Sequence, residues 1–211
     1  MNQLQIIPGI LEKDLDEIKR KISLVEHLAG LIHIDFLDGK FAENTSYLDV
    51  EEVNKIDTQA FLTLHIQTVN PEKYIPQQPG SVRKVILHVE SSTFSRELLE
   101  EVQANQFEIG IALNPETEIY ELEPFLNYAD MVLFMTVHPG LQGQKFLPEV
   151  LDKIREFNKE YPDIPMGVDG GINDKTIKLV TDCGVTLIEA GSFLFDGDPQ
   201  ENFDKLLEAV Q

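Results

Sequence analysis

A closed (β/α)8 TIM barrel, eight parallel strands each followed by a helical connection, is the fold this sequence predicts. Three observations predict it. Eight short apolar runs alternate with longer amphipathic or polar stretches, the pattern of parallel βα units. Polar residues gather at the ends of those runs, where a barrel keeps its chemistry. The first run is not followed by the G-x-G-x-x-G turn of a nucleotide-binding open sheet, which weakens the competing doubly wound architecture.

Taken in order, the strand candidates are 5–7, 31–36, 61–66, 84–88, 107–113, 131–137, 166–168 and 187–190. The clearest helical stretches are 12–28, 96–103, 145–161, 174–183 and 199–210. In the first of these Leu15, Ile18, Ile22 and Val25 recur at spacings of three and four, giving one apolar stripe. The segment 40–56 has no strong periodicity. Pro76, Pro79 and Gly80 break or shorten the third helix. Asn173 and Asp174 open the stretch 174–183, and Gly184 closes it. No repeat, low-complexity tract or linker divides the chain, so residues 1–211 are expected to form one domain.

Composition narrows the function. Apolar residues make up 42% of 211, enough for a sizeable core. The 37 acidic residues against 17 basic ones give a formal charge of −20, which argues against nucleic acid or an anionic membrane surface as partner. An anionic small molecule would need a local cation or aimed backbone N–H groups. Cys183 stands alone, cannot form an internal disulfide, and is expected to be plainly buried. The first seven residues carry no basic region, and no segment approaches the roughly 18 apolar residues of a membrane span. A soluble, cytoplasmic protein is the expectation.

The most informative stretch is Leu31-Ile-His-Ile-Asp-Phe-Leu-Asp-Gly39. Two-residue spacing puts His33 and Asp35 on one face of a strand, with Ile32, Ile34 and Phe36 on the other. A histidine and a carboxylate on an oily strand are costly unless something pairs with them. The third run ends in His65, the fourth in His88 and the seventh in Asp169. In a barrel these ends share one mouth. His33, Asp35, His65 and Asp169 then form a nitrogen–oxygen set suited to a metal ion. Glycines follow the last three strands: Gly140 and Gly143 in Pro139-Gly-Leu-Gln-Gly143, then Gly170 and Gly171, then Gly191 before Ser192. They let backbone N–H groups approach an anion, and late βα loops are where barrels hold phosphate.

These residues sit in segments that resemble the ribulose-phosphate 3-epimerase family over nearly the whole chain. The matching stretches include Ile7-Pro-Gly-Ile10, His33-Ile-Asp-Phe-Leu-Asp-Gly39, Asn70-Pro-Glu-Lys-Tyr-Ile75, Met135-Thr-Val-His-Pro-Gly140, Val168-Asp-Gly-Gly-Ile172 and Ala190-Gly-Ser192. The resemblance implies a divalent metal on His33, Asp35, His65 and Asp169. It implies proton transfer by Asp35 and Asp169, and interconversion of D-ribulose 5-phosphate and D-xylulose 5-phosphate. Two imidazoles with carboxylates suit Zn, Fe, Mn or Co better than Mg. Expected substrate and phosphate contacts are Gly9, His65, Gly140, Leu141, Gln142, Gly143, Gly170, Gly171, Gly191 and Ser192. Leu37, Gln67, His88 and Met135 are expected to wall the pocket. The partner implied is a small sugar phosphate, and the family's habit implies a homo-oligomer.

The chain departs from the family at several positions. Gly9 stands where serine is usual, and Leu37 and Gln67 where methionines cover the site. Glu43 and Asn44 replace a Pro-Asn pair, His138 replaces a common Asn or Glu, and Gln142 replaces a glycine. No metal ligand or carboxylate is lost. Two other readings stand beside the first: a 3-epimerase of a hexulose 6-phosphate such as allulose 6-phosphate, and a non-catalytic barrel of the same family. A neighbouring decarboxylase and synthase family is disfavoured, because its Asp-x-Lys-x-x-Asp signature meets Asp35-Phe-Leu-Asp38 here, with no lysine between.

Overall fold

The computed structural model describes residues 3–210; Met1, Asn2 and Gln211, the ends of the expected 1–211 domain, lie outside the described residues. Eight parallel strands close on themselves in sequence order, β1 through β8. They are β1 (Gln5–Ile10), β2 (Leu31–Leu37), β3 (Phe61–Gln67), β4 (Val82–His88), β5 (Glu108–Leu113), β6 (Met131–Met135), β7 (Met166–Asp169) and β8 (Leu187–Ala190). Each expected strand is present. β1 runs past its expected end at residue 7, through Pro8. Its pairing explains this: Gln5 to Pro8 pair with β8, and Gly9 and Ile10 pair with β2. The proline stands at the handover between neighbours. β6 stops before residue 137 because Thr136 turns its N–H to the Asp169 carbonyl at 2.7 Å.

The helical layer is more irregular than the sequence suggests. Among the described residues the α-helices are α1 (Leu15–Val25), α2 (Val50–Asn54), α3 (Arg96–Ala104), α4 (Val150–Glu160), α5 (Ile177–Thr181) and α6 (Pro199–Ala209). α1 starts three residues late because Asp14 caps it, accepting from the N–H groups of Asp16 and Glu17. α2 lies in the segment that lacks periodicity; five residues are too few to show any. α4 begins at Val150, since Leu147 donates its N–H to the Thr136 carbonyl and ties the preceding loop to the barrel. α5 is short because Asn173 makes a local turn, accepting from Lys175 N–H and donating its own N–H to Thr176 Oγ1. Only a 3-10 turn, Pro71–Tyr74, connects β3 to β4, and two more, Ile119–Glu121 and Glu123–Tyr128, connect β5 to β6.

Two apolar layers hold this together. The larger packs outward-facing strand residues such as Ile32, Ile34 and Phe36 against Ile18, Ile22 and Val25 of α1 and their counterparts around the ring. The smaller fills the barrel interior with Ile7, Ile86, Ala112, Met131, Leu133, Met135, Val137 and Leu187. Each such side chain contributes on the order of 1.5–3 kcal/mol on full burial. Above the interior plug the inward positions of β2, β3, β7 and β8 become polar. Cys183 is buried, as expected, and its thiol donates to the Leu179 carbonyl. No described helix is long and apolar enough to cross a membrane.

Asp38, just past β2, fixes the mouth of the barrel. Its Oδ1 accepts from Lys40 and Phe41 N–H and its Oδ2 from Val69 N–H, each at 2.9 Å. Burial would raise this carboxyl, but those backbone donors hold it below the usual carboxylate range. A carboxyl lowered in the fold stabilises it above the unfolded carboxyl pKa, and that stability is lost as pH falls through the folded value. Asp38→Asn is expected to unfold at lower denaturant concentration at pH 7, by on the order of 1–2 kcal/mol, because the charge-assisted bonds are weakened. The gap should close toward pH 3; urea titrations across pH check this, and a gap constant with pH contradicts it.

Candidate active site

Four side chains converge at the C-terminal mouth. β2 and β3 pair in register, placing His33 opposite Thr63 and Asp35 opposite His65. β6 pairs with β7, bringing Asp169 level with Met135. Asp35 Oδ1 lies 3.1 Å from His33 Nε2 and 3.0 Å from His65 Nδ1. Asp169 Oδ2 lies 3.4 Å from His65 Nδ1 and 4.0 Å from His33 Nε2. One donor atom from each of His33, Asp35, His65 and Asp169 falls within 4.8 Å of every other. Spacing singled out His33 and Asp35, strand-end position added His65 and Asp169, and the fold brings the four together.

The donor set fits a divalent cation. His33 Nε2 and His65 Nδ1 face each other at 3.1 Å. Two nitrogen lone pairs at that distance repel unless a proton or a cation lies between them. Two nitrogens about 2.0–2.1 Å from one ion stand about 3.0–3.4 Å apart, so the spacing suits shared coordination. Charge points the same way. Burial alone would lower His33, yet the Glu189 and Asp35 carboxylates raise it well above its ordinary value. Burial opposes His65 as well, but hydrogen bonds to Asp169 and Asp35 raise it. Asp35, which burial would raise, is held well below the usual range by His33 and His65. The floor of the mouth is built to hold positive charge among carboxylates, and the cluster could hold a metal ion.

Behind the cluster stands a second layer that the sequence reading used only in part. His88 was expected in the pocket wall; it lies instead behind His65, fully buried, its Nε2 2.9 Å from His65 Nε2. Burial lowers His88, against the pull of Glu90. Its Nδ1 lies 3.0 Å from Glu90 Oε2, and Glu90 in turn accepts from Asn114 N–H at 2.7 Å and from the Thr117 hydroxyl. On the other flank Glu189 of β8 places Oε2 3.2 Å from His33 Nδ1. Neither glutamate was singled out from sequence. The signal for Glu189 was there, an acid among Leu187, Ile188 and Ala190. Thr136 was also passed over: its hydroxyl and N–H hold the carbonyls of Asp169 and Gly170.

A cleft of about 610 Å³, open to solvent, lies over these carboxylates. Gly9, Leu37, Gln67 and Met135 line it. So do Gly140, Leu141, Gln142 and Gly143 of the loop after β6. Gly170, Gly171, Gly191 and Ser192 line it as well, together with His138 and Glu189. His33 and His65 sit beneath it, fully buried. Gly170 and Gly171 have φ of 118° and 66°, and a Cβ on either would collide with Val137 or Phe146. The loop after β6 is pinned from below: Asn44 donates its amide to the Gly140 carbonyl at 2.9 Å, and Gln142 to the Leu11 carbonyl at 3.2 Å. No lysine or arginine lines the cleft among the described residues. Gln67 donates to Asp35 Oδ1 at 2.8 Å, while its Oε1 is buried and has no partner.

Comparison with known proteins adds the lineage. Residues 5–195 match the Ribulose-phosphate 3 epimerase family. The chain is 32% identical to "Ribulose-phosphate 3-epimerase, cytoplasmic isoform" of Oryza sativa subsp. japonica, covering 98% of this chain and 94% of that protein. It is 33% identical to the ribulose-phosphate 3-epimerase of Bacillus subtilis, covering 91% and 92%. Among solved structures, 3-hexulose-6-phosphate synthase from Salmonella typhimurium shares the fold, with TM-score 0.70 at 12% identity over 98% of both chains. A tryptophan synthase alpha-subunit from Pyrococcus furiosus does likewise, at TM-score 0.73 and 14% identity over 100% of this chain and 99% of that one.

His65 touches both carboxylates, so His65→Ala is expected to fold but lose divalent metal on dialysis. Elemental analysis checks this, and full metal content in the folded variant contradicts a ligand role.

Proposed function

This chain belongs to the ribulose-phosphate 3-epimerase family, and from that premise we propose that it interconverts D-ribulose 5-phosphate and D-xylulose 5-phosphate by proton transfer between two carboxylates. The observation that carries the reading is the meeting of Asp35 and Asp169, from β2 and β7, at one cation-suited cluster under a single cleft.

Inverting C3 of a 2-ketose means removing a proton from one side and returning one to the other. Asp35, held ionised by His33 and His65, takes the C3 proton. The C–H electron pair becomes the C2–C3 π bond while the C2=O π pair moves onto the C2 oxygen, giving an ene-diolate. Asp169, entering as the acid, returns a proton to the opposite side of C3 as the C2 carbonyl re-forms. The roles exchange for the reverse direction. A divalent ion held by His33, Asp35, His65 and Asp169 would supply Lewis-acid stabilisation of the negative charge that builds on the substrate oxygens. Two imidazoles and two carboxylates favour Zn²⁺, Fe²⁺, Mn²⁺ or Co²⁺ over Mg²⁺ for that position.

Among the described residues the phosphate has no lysine or arginine to meet in the cleft. Backbone N–H groups around Gly170, Gly171, Gly191 and Ser192 are the donors we assign to it. They carry local positive potential in a protein whose overall charge of −20 repels anions. The lone buried Cys183 suits a reducing, cytoplasmic setting, and kinship extends the reading to a homo-oligomer.

Two positions favour a second reading, epimerisation of a hexulose 6-phosphate. Gly9 leaves space: a Cβ there would stand at an ordinary 3.5 Å from Gly191 Cα, so the missing side chain widens the cleft. Gln67 offers an unpaired buried acceptor that another hydroxyl could satisfy. Heavy-water exchange at C3 separates the readings, with the metal-loaded protein given pentulose and hexulose phosphates in parallel. Gln67→Met is expected to shift preference toward the pentulose if that acceptor selects the longer sugar; an unchanged ratio of kcat/KM values contradicts it. Asp35→Asn and Asp169→Asn are each expected to slow C3 exchange by roughly 10²–10⁴-fold with the fold retained. Wild-type exchange in either variant rules out the two-carboxylate scheme.

A further inference from the structure

We propose that Glu189 is a positioning residue for the metal cluster, its carboxylate accepting the Nδ1 proton of His33 so that Nε2 is turned toward the cation. The inference deepens the epimerase reading and rests on its metal site.

Glu189 is 2% exposed on β8, where Leu187, Ile188 and Ala190 surround it in sequence. A buried carboxylate without a partner is strongly unfavourable. Among the described residues no lysine or arginine pairs with it, and its ion-pair partner is His33, Oε2 to Nδ1 at 3.2 Å. Those same two atoms are buried and lack an aligned hydrogen bond.

The two edges of the His33 ring face different ways. Nε2 is 3.1 Å from Asp35 and 4.0 Å from Asp169, while Nδ1 is toward Glu189. Glu189 lies outside the four-donor group, although it also lines the cleft, and the contact it makes with that group is through the His33 imidazole. Accepting from Nδ1–H leaves the Nε2 lone pair free for an ion and makes that nitrogen a stronger donor. His65 is backed in a parallel way, through His88 to Glu90.

The test compares wild type, Glu189→Leu and Glu189→Gln in zinc affinity, measured by competition with a chelator, and in thermal unfolding of the metal-free protein. Glu189→Leu is expected to weaken zinc binding by roughly 10–100-fold. Glu189→Gln, which keeps an acceptor oxygen without the charge, should fall between. The metal-free Tm is expected to fall in Glu189→Leu, because His33 loses its buried ion-pair partner, so affinities are compared where both metal-free proteins are folded; a merely structural role would lower Tm and leave the zinc affinity of the folded protein at wild type. Wild-type zinc affinity in folded Glu189→Leu overturns the proposal. If Glu189→Leu fails to fold, Glu189→Gln decides, and unchanged affinity there overturns it. A wild-type chain that retains no zinc overturns the metal reading of the whole site, and this inference with it.

Discussion

The register between β2 and β3 is the constraint on which the rest of the molecule depends. Asp35 stands beside His65, and His33 one pleat below, because these strands pair residue for residue over their whole length. Side chains alternate between the barrel interior and the helical layer, so a slip of one residue in β3 would send His65 outward and bring its apolar neighbours in. Apolar burial on the outer face resists such a slip: Ile32, Ile34, Phe36, Leu62, Leu64 and Ile66 all pack there. The oily half of each strand thereby fixes the polar half. What looks like a choice between stability and chemistry is one alternating pattern serving both.

That dependence explains what could be read from the chain alone. The strands were legible because their apolar residues are continuous, and the four converging donors because histidine and aspartate are conspicuous in such runs. The helices were harder. Local hydrogen bonds at Asn173, Thr176 and Leu147 moved the start of α4 and α5, and α2 is too short to display a period. The supporting residues were harder still. His88 reads as one more strand-end histidine, and its burial and the stacking of its ring on His65 at 5.0 Å place it behind the cluster. Glu90 and Thr136 lie just beyond strand ends, where a polar residue is unremarkable in sequence.

Electrostatics divides the protein into two regimes. Its surface is strongly acidic, and its cleft contains no lysine or arginine among the described residues. At the floor of the cleft Asp35, Asp169 and Glu189 surround two buried histidines, a setting suited to one cation. Inside a medium of low dielectric such charges interact far more strongly than the same charges on the surface. A few groups beneath the cleft can thus outweigh many solvated carboxylates that salt screens.

The seam between β1 and β8 bears on how the molecule comes into being. Gln5 through Pro8 pair with Leu187 through Ala190, so the barrel closes by joining a segment made early in synthesis to one made late. Until that junction forms, β7 has no continuous sheet connecting it to β2 on that side, and Glu189 has not reached His33. A growing chain therefore carries His33 and His65 well before β8 arrives to join β7 to β1 and complete the site.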